Sequence, residues 1–115
     1  MSAALFDTAQ IERLRGLRQG TLLPQLLRAY RQQATDLLQT METAVTAADL
    51  PAVRSAAHTL KSASMSMGAN AMGELCARVE AKALIRLDQE LTKLLVELRS
   101  CYTAMLPALE ALLRG

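Results

Sequence analysis

The chain has 115 residues, of which 51% are hydrophobic, so it is long enough for one domain with a single buried core. Only Phe6, Tyr30 and Tyr102 are aromatic, and only three residues are Pro, which favours a core of Leu, Ala, Met and Val between packed helices over a strand-and-turn fold. The formal net charge of +2 comes without a run of Lys or Arg, so the sequence does not indicate nucleic-acid binding.

No segment predicts contact with a membrane. A run of about 18 apolar residues is missing, and the residues from Met1 to Asp7 lack the basic start and long apolar stretch of a signal peptide. Cys76 and Cys101 both fall at apolar positions of helical patterns. A structural disulfide is one interpretation, and buried free thiols in a reducing compartment are the one that we favour. We therefore expect a cytoplasmic domain.

The first two predicted helices lie in the N-terminal half of the chain. A short helix starts at Asp7, an N-cap candidate followed three residues later by Gln10, as in a capping box. Gly16 or Gly20 ends it. Apolar residues then recur at intervals of three and four, which predicts a long amphipathic helix over Thr21–Ala47.

The third and fourth predicted helices are separated by a glycine. Asp49 is the expected N-cap of the third helix, and Pro51 lies in its first turn, where a missing N–H costs little. This helix should run to about Met67, where Gly68 offers a stop. Asn70 is the expected cap of the fourth helix.

The last helix has an apolar stripe from Leu91 to Leu112. Asp88 is the signal for its start, and Pro107 predicts a kink. Four amphipathic helices with short connections, preceded by a short one, predict an all-α fold: an antiparallel four-helix bundle with an additional short N-terminal helix. We expect residues 1–115 to form a single domain.

His58 is the only histidine of the chain. This excludes a site built on two histidines, and the sequence contains neither the Glu-x-x-His pair of di-iron bundles nor a haem attachment motif. At about 100° per residue, His58 lies nearly opposite a predicted core face of the third helix, formed by Val53, Ala56, Leu60, Ala63 and Met67. The chain therefore presents one solvent-facing imidazole.

An exposed imidazole has two interpretations. It is either an ordinary solvated side chain or a nucleophile, since a neutral imidazole has a lone pair on one ring nitrogen. In the second case Arg54 and Lys61 could offset the charge of a phosphoryl group. Small neighbours would let the active site of a partner close over the imidazole; they are Ser55, Ser62, Gly68 and Ala69.

The segments Ala57–Ser64, Met67–Ala69 and Leu75–Glu80 resemble the signature of histidine phosphotransfer (HPt) domains, and the resemblance covers almost the whole chain. It implies that His58 accepts a phosphoryl group through Nε2 from the aspartyl phosphate of a response-regulator receiver domain. It also implies a hybrid sensor histidine kinase as a partner, Mg²⁺ on the receiver only, and no cofactor in this chain. Lys61 would lie beside the phosphoryl group.

Two residues depart from the family pattern. Ser62 stands where the family often has Gly, and Glu80 stands where many relatives have a Gln that hydrogen-bonds the active histidine. A carboxylate at this position could orient the imidazole, yet it would repel the phosphoryl group. Alternatively, Glu80 is a plain surface residue paired with a nearby cation: Lys82, Arg78 or Arg54.

The sequence leaves three hypotheses for the function of the chain. The first is a monomeric phosphocarrier, not an enzyme, whose partner-binding residues are Arg54, Ser62, Met65, Gly68 and Ala69. Met65 is included because Met adapts to varied partners. The second is a helical adaptor that docks receivers or kinases without being phosphorylated. The third, a small enzyme with His58 as general base, lacks a second catalytic group and an apolar pocket. A free-standing protein and a domain of a hybrid kinase both fit the sequence.

Overall fold

The computed structural model describes residues 6–114, and in this range it contains helices and no strands. A 3₁₀ turn over Leu17–Gly20 follows the first helix. The α-helices are α1 (Thr8–Arg15), α2 (Leu22–Thr46), α3 (Leu50–Ser66), α4 (Asn70–Ile85) and α5 (Gln89–Arg114). Each long helix packs against the next through a short connection, and α5 also packs against α2, which closes the bundle. This confirms the predicted all-α bundle with its short N-terminal helix.

Aspartate caps begin three of the helices, as predicted. The Asp7 carboxylate accepts from the backbone N–H of Ala9 at 2.9 Å, and Asp49 accepts from that of Ala52 at 3.2 Å. At the start of α5, Asp88 accepts from the N–H of Leu91 at 3.1 Å. These bonds satisfy N–H groups that have no partner within the helix. α5 then runs through Pro107 without interruption.

Two predicted caps are wrong in detail. Gln10 does not return to Asp7 as in a capping box, because its side-chain amide donates instead to the carbonyl of Ser66, at 2.9 Å, and so ties α1 to the end of α3. Asn70 is the first residue of α4 and not its cap. The cap position belongs to Ala69, which has no side-chain hydrogen bond to offer.

The connection between α3 and α4 depends on Gly68. Its φ is +75°, a conformation that glycine adopts without strain. A Cβ atom added there would lie 3.0 Å from the Cβ of Asp7 and 3.2 Å from its backbone nitrogen. The Asp7 N–H also donates to the Gly68 carbonyl at 2.7 Å. The segment before α1 therefore covers this turn.

The core lies between the four long helices and is almost entirely aliphatic. Of the five residues in the predicted core face of the third helix, Val53, Ala56, Leu60 and Met67 are buried, and Ala63 is half-buried. A buried hydroxyl pair joins α2 to α3, since Tyr30 Oη and Ser64 Oγ are 2.6 Å apart. Cys76 is buried and Cys101 is half-buried; both are free thiols, and burial raises the pKa of Cys76 to about 12.

Candidate functional site

His58 lies in the middle of α3 with 61% of its side chain exposed. The neighbouring residues Val53, Ala56, Ala57 and Leu60 are buried. The prediction from helical periodicity, that this imidazole faces solvent opposite the core, is confirmed. Since the rest of the helix is anchored in the core, the backbone that carries His58 is held in place while the ring stays accessible to another molecule.

Glu80 of α4 holds one edge of the imidazole. Nδ1 of His58 is 2.9 Å from Oε2 of Glu80. A carboxylate has no hydrogen to donate, so Nδ1–H must be the donor of this bond. In the neutral ring, the other nitrogen, Nε2, then carries the free lone pair. The contact thus selects the tautomer whose nucleophilic nitrogen is free to meet a partner.

The second oxygen of Glu80 is engaged as well. Lys61 Nζ donates to Oε1 of Glu80 at 2.8 Å, so one carboxylate bridges the histidine and the lysine. The hydrogen bond from Lys61 lowers the pKa of Glu80; desolvation opposes this, and the hydrogen bond from His58 adds to the lowering. Glu80 is therefore ionised at neutral pH. The alternative of a plain surface glutamate is wrong, because Glu80 is bound to the histidine.

Two of the cations named in that alternative pair with other carboxylates. Lys82 pairs with Asp88 and Glu90, each at 3.2 Å. Arg78 lies 3.9 Å from Glu97. Neither is an ion-pair partner of Glu80, whose side chain is 25% exposed between α3 and α4.

A shallow cleft opens beside the imidazole. It is lined by His58 together with Pro51, Arg54, Ser55, Thr59 and Glu80. Arg54 and Ser55 contribute its walls from the turn of α3 before His58. Lys61, one turn after the histidine, does not line it. The two cations predicted to assist a phosphoryl group therefore lie one turn before and one turn after His58, and only Arg54 borders the cleft.

The predicted partner-binding residues divide into two groups. Ser62 is exposed, and Met65 is 49% exposed, so both are accessible on the same helix as His58. Gly68 and Ala69 are buried. The prediction that these two contact a partner is wrong, because the segment at Asp7 packs over their turn.

Sequence reasoning missed an apolar patch at the end of α4. Leu84 is 68% exposed and Ile85 is 72% exposed, and Leu87 follows in the connection to α5. Leu84 lies one helical turn after Glu80 and hence on the same side of α4. The sequence could have indicated this patch, because Leu84 lies outside the buried stripe of α4, which contains Met72, Cys76, Val79 and Ala83.

Two other kinds of feature are absent from the described part of the chain. Within residues 6–114, no group of three or more His, Cys, Asp or Glu side chains is placed to hold a metal ion. In the same range, every helix is too short or too polar to cross a membrane.

Fold and site together define a helical bundle that offers one oriented histidine to another molecule. The model of the Hpt domain family matches residues 25–113. The chain therefore belongs to the Hpt domain family, the histidine phosphotransfer modules of phosphorelays. This confirms the resemblance seen in the sequence.

A solved structure has the same fold. The crystal structure of histidine-containing phosphotransfer protein B (HptB) from Pseudomonas aeruginosa PAO1 matches with a TM-score of 0.88 and 23% sequence identity, over 96% of this chain and 95% of that chain. At this identity the match supports the helical-bundle fold alone. Among curated protein sequences, none matches the chain.

Proposed function

We propose that this protein carries a phosphoryl group on Nε2 of His58, which it accepts from the aspartyl phosphate of response-regulator receiver domains and returns to such aspartates. The observation that supports this most strongly is the hydrogen bond of 2.9 Å between Nδ1 of His58 and Glu80. It occupies one ring nitrogen and directs the lone pair of the other toward the partner.

The transfer step uses few groups of this chain. The Nε2 lone pair attacks the phosphorus of the aspartyl phosphate; the N–P bond forms as the P–O bond to the acyl group breaks, and the aspartate leaves as a carboxylate. The hydrogen on Nδ1 stays in place, so the ring becomes a phosphorylated imidazolium. Glu80 then faces a positive ring through a charge-assisted hydrogen bond. The reverse transfer follows the same path.

The partner supplies the remaining catalysis in this proposal. A receiver holds Mg²⁺ beside its aspartate, which stabilises charge on the transferring oxygens. This chain requires no cofactor of its own and acts as a phosphocarrier, not as an enzyme. A hybrid sensor histidine kinase would provide the first phosphorylated receiver. A monomer suits a carrier that meets two partners in turn, and we expect it to act in the cytoplasm.

Docking places the partner around the imidazole. We expect contacts at Arg54, Ser62 and Met65 on α3, which are exposed or half-buried. Leu84 adds an apolar contact on the α4 side.

The test is transfer from a receiver that carries a radiolabelled aspartyl phosphate. The wild-type chain should gain label that is lost in acid and retained in alkali, as expected for phosphohistidine. His58→Gln, which keeps a polar side chain on an exposed helix position, should fold normally and gain none. Equal labelling of His58→Gln would refute the proposal. Binding to the receiver without labelling of the wild type would favour a non-phosphorylated adaptor instead.

A further inference from the structure

Two cations flank His58, and the structure treats them differently. Lys61 donates to Glu80 at 2.8 Å, and this contact also lowers the pKa of Glu80. Arg54, one helical turn before the histidine, makes no ion pair with any residue in 6–114. The positive charge of Lys61 is therefore already compensated, whereas that of Arg54 is not.

The open space beside the imidazole lies on the side of Arg54. The cleft is lined by His58, Pro51, Arg54, Ser55, Thr59 and the Glu80 carboxylate, and Lys61 is not among its walls. Residues four apart on a helix are separated by about 6 Å along the axis, which an arginine side chain spans. The cleft borders the imidazole, so a phosphoryl group on His58 would lie within reach of its walls.

We infer that Arg54, rather than Lys61, is the residue of this chain that binds the phosphoryl oxygens on His58, and that the cleft beside it is a phosphoanion subsite. This inference rests on the proposed function. The guanidinium donates two parallel hydrogen bonds to phosphoryl oxygens, a geometry that suits arginine better than lysine. No bond is made or broken at Arg54, since it only neutralises charge while the phosphorus moves between oxygen and nitrogen.

Glu80 is the physical reason for this division of roles. Its carboxylate would repel a phosphoryl group, but the bound Lys61 cancels much of its charge at longer range. Lys61 is thus used to neutralise Glu80, and a separate cation is needed for the phosphoryl group. Arg54 is the cation that lines the cleft.

The experiment measures labelling of His58 from two donors. One is a phosphorylated receiver, and the other is phosphoramidate, a small molecule that needs no protein docking surface. The variants are Arg54→Gln, Arg54→Lys and Lys61→Gln. Arg28→Gln is the matched control, since it removes one exposed and unpaired arginine from α2, within the described residues but outside the cleft. The ³¹P chemical shift of the phosphorylated chain gives a second readout, which depends on the surroundings of the phosphoryl group.

We expect Arg54→Gln to slow labelling about tenfold with both donors, the size of one charge-assisted hydrogen bond at about 1.4 kcal/mol per factor of ten. Arg54→Lys should be slowed less than Arg54→Gln. Arg28→Gln should be labelled at the wild-type rate. Only Arg54→Gln should move the ³¹P signal. An Arg54→Gln variant that keeps the wild-type rate with phosphoramidate would overturn the inference, and a loss confined to the receiver would assign Arg54 to docking. A ³¹P signal that moves in Lys61→Gln and not in Arg54→Gln would overturn it as well. If the wild type takes no label from either donor, the proposed function itself fails.

Discussion

Glu80→Gln tests how much the carboxylate contributes to the phosphorylated state. The change is nearly isosteric and leaves an oxygen that can still accept from Nδ1 of His58. It removes the negative charge that the imidazolium faces after transfer. A hydrogen bond to a charged group contributes about 1.5–3 kcal/mol, compared with about 0.5–1.5 kcal/mol for a neutral one. Because His58 is 61% exposed, solvent screening favours the lower end of the difference, about 1 kcal/mol.

The opposing effect of Glu80 on the phosphoryl group is smaller. That group would be attached at Nε2, on the far side of the ring from the carboxylate. At that distance it meets the paired charges of Glu80 and Lys61, which are in contact at 2.8 Å and largely cancel. The hydrogen bond to Nδ1 is short and is not cancelled in this way. The net effect of the carboxylate should therefore favour phosphorylation of His58.

The expected result is a shift in the transfer equilibrium. At about 1.4 kcal/mol per factor of ten, a loss of about 1 kcal/mol moves the partition of label about fivefold toward the receiver. The assay mixes phosphorylated receiver with each chain and measures the label on both proteins at equilibrium. Equal partition in wild type and Glu80→Gln, or a shift toward His58, would refute this account of the site.

The pH dependence provides the control for that result. The pKa of Glu80 is lowered in the folded chain, so its contribution to stability is complete above the unfolded value of about 4.3. That contribution is lost as the pH falls through the lowered folded value. Wild type should therefore melt at a higher temperature than Glu80→Gln at pH 7, and the two should converge in stronger acid. A difference that persists unchanged at the lowest pH would assign the effect to packing instead of charge.

Three other substitutions have clear expected outcomes. Gly68→Ala should destabilise the fold by at least about 1 kcal/mol through its left-handed conformation, measured by thermal unfolding. Gly16→Ala, with φ −77° and only an ordinary van der Waals contact for the added Cβ atom, should be tolerated. Equal melting temperatures of the two variants would contradict this. Tyr30→Phe should lower the free energy of unfolding by about 1–3 kcal/mol because it leaves the hydroxyl of Ser64 buried without a partner. Adding Ser64→Ala should recover part of this loss of stability. No recovery in the double variant would argue against the hydrogen bond as the cause. Ser62→Phe should weaken receiver binding in titration calorimetry. It should not lower the melting temperature, because Ser62 is exposed. Unchanged affinity would exclude this position from the docking surface.

Local signals in the sequence predicted most of the fold. Aspartate caps at Asp7, Asp49 and Asp88 depend on bonds within four residues, and all three form. The exposure of His58 also follows from local information, because helical periodicity alone places it opposite the buried residues of α3. Features that depend only on residues within one helix could therefore be predicted from the sequence.

The errors concern contacts between distant segments. Gln10 resembles a capping residue, but packing of α1 against α3 gives it the carbonyl of Ser66 as a partner, 56 positions away. Gly68 and Ala69 are small and close to His58 in the sequence, yet both are buried, and Asp7 lies against Gly68. The partner of Glu80 also remained open, because only the alignment of α3 with α4 brings it to the histidine.

The most direct test of the central claim is ³¹P and ¹⁵N NMR of the chain after transfer from a phosphorylated receiver. If Glu80 holds Nδ1 of His58, as the distance of 2.9 Å indicates, phosphorus should be bonded to Nε2, and the signal of Nδ1 should be that of a protonated nitrogen. Phosphorus on Nδ1, or on any other residue, would contradict the account.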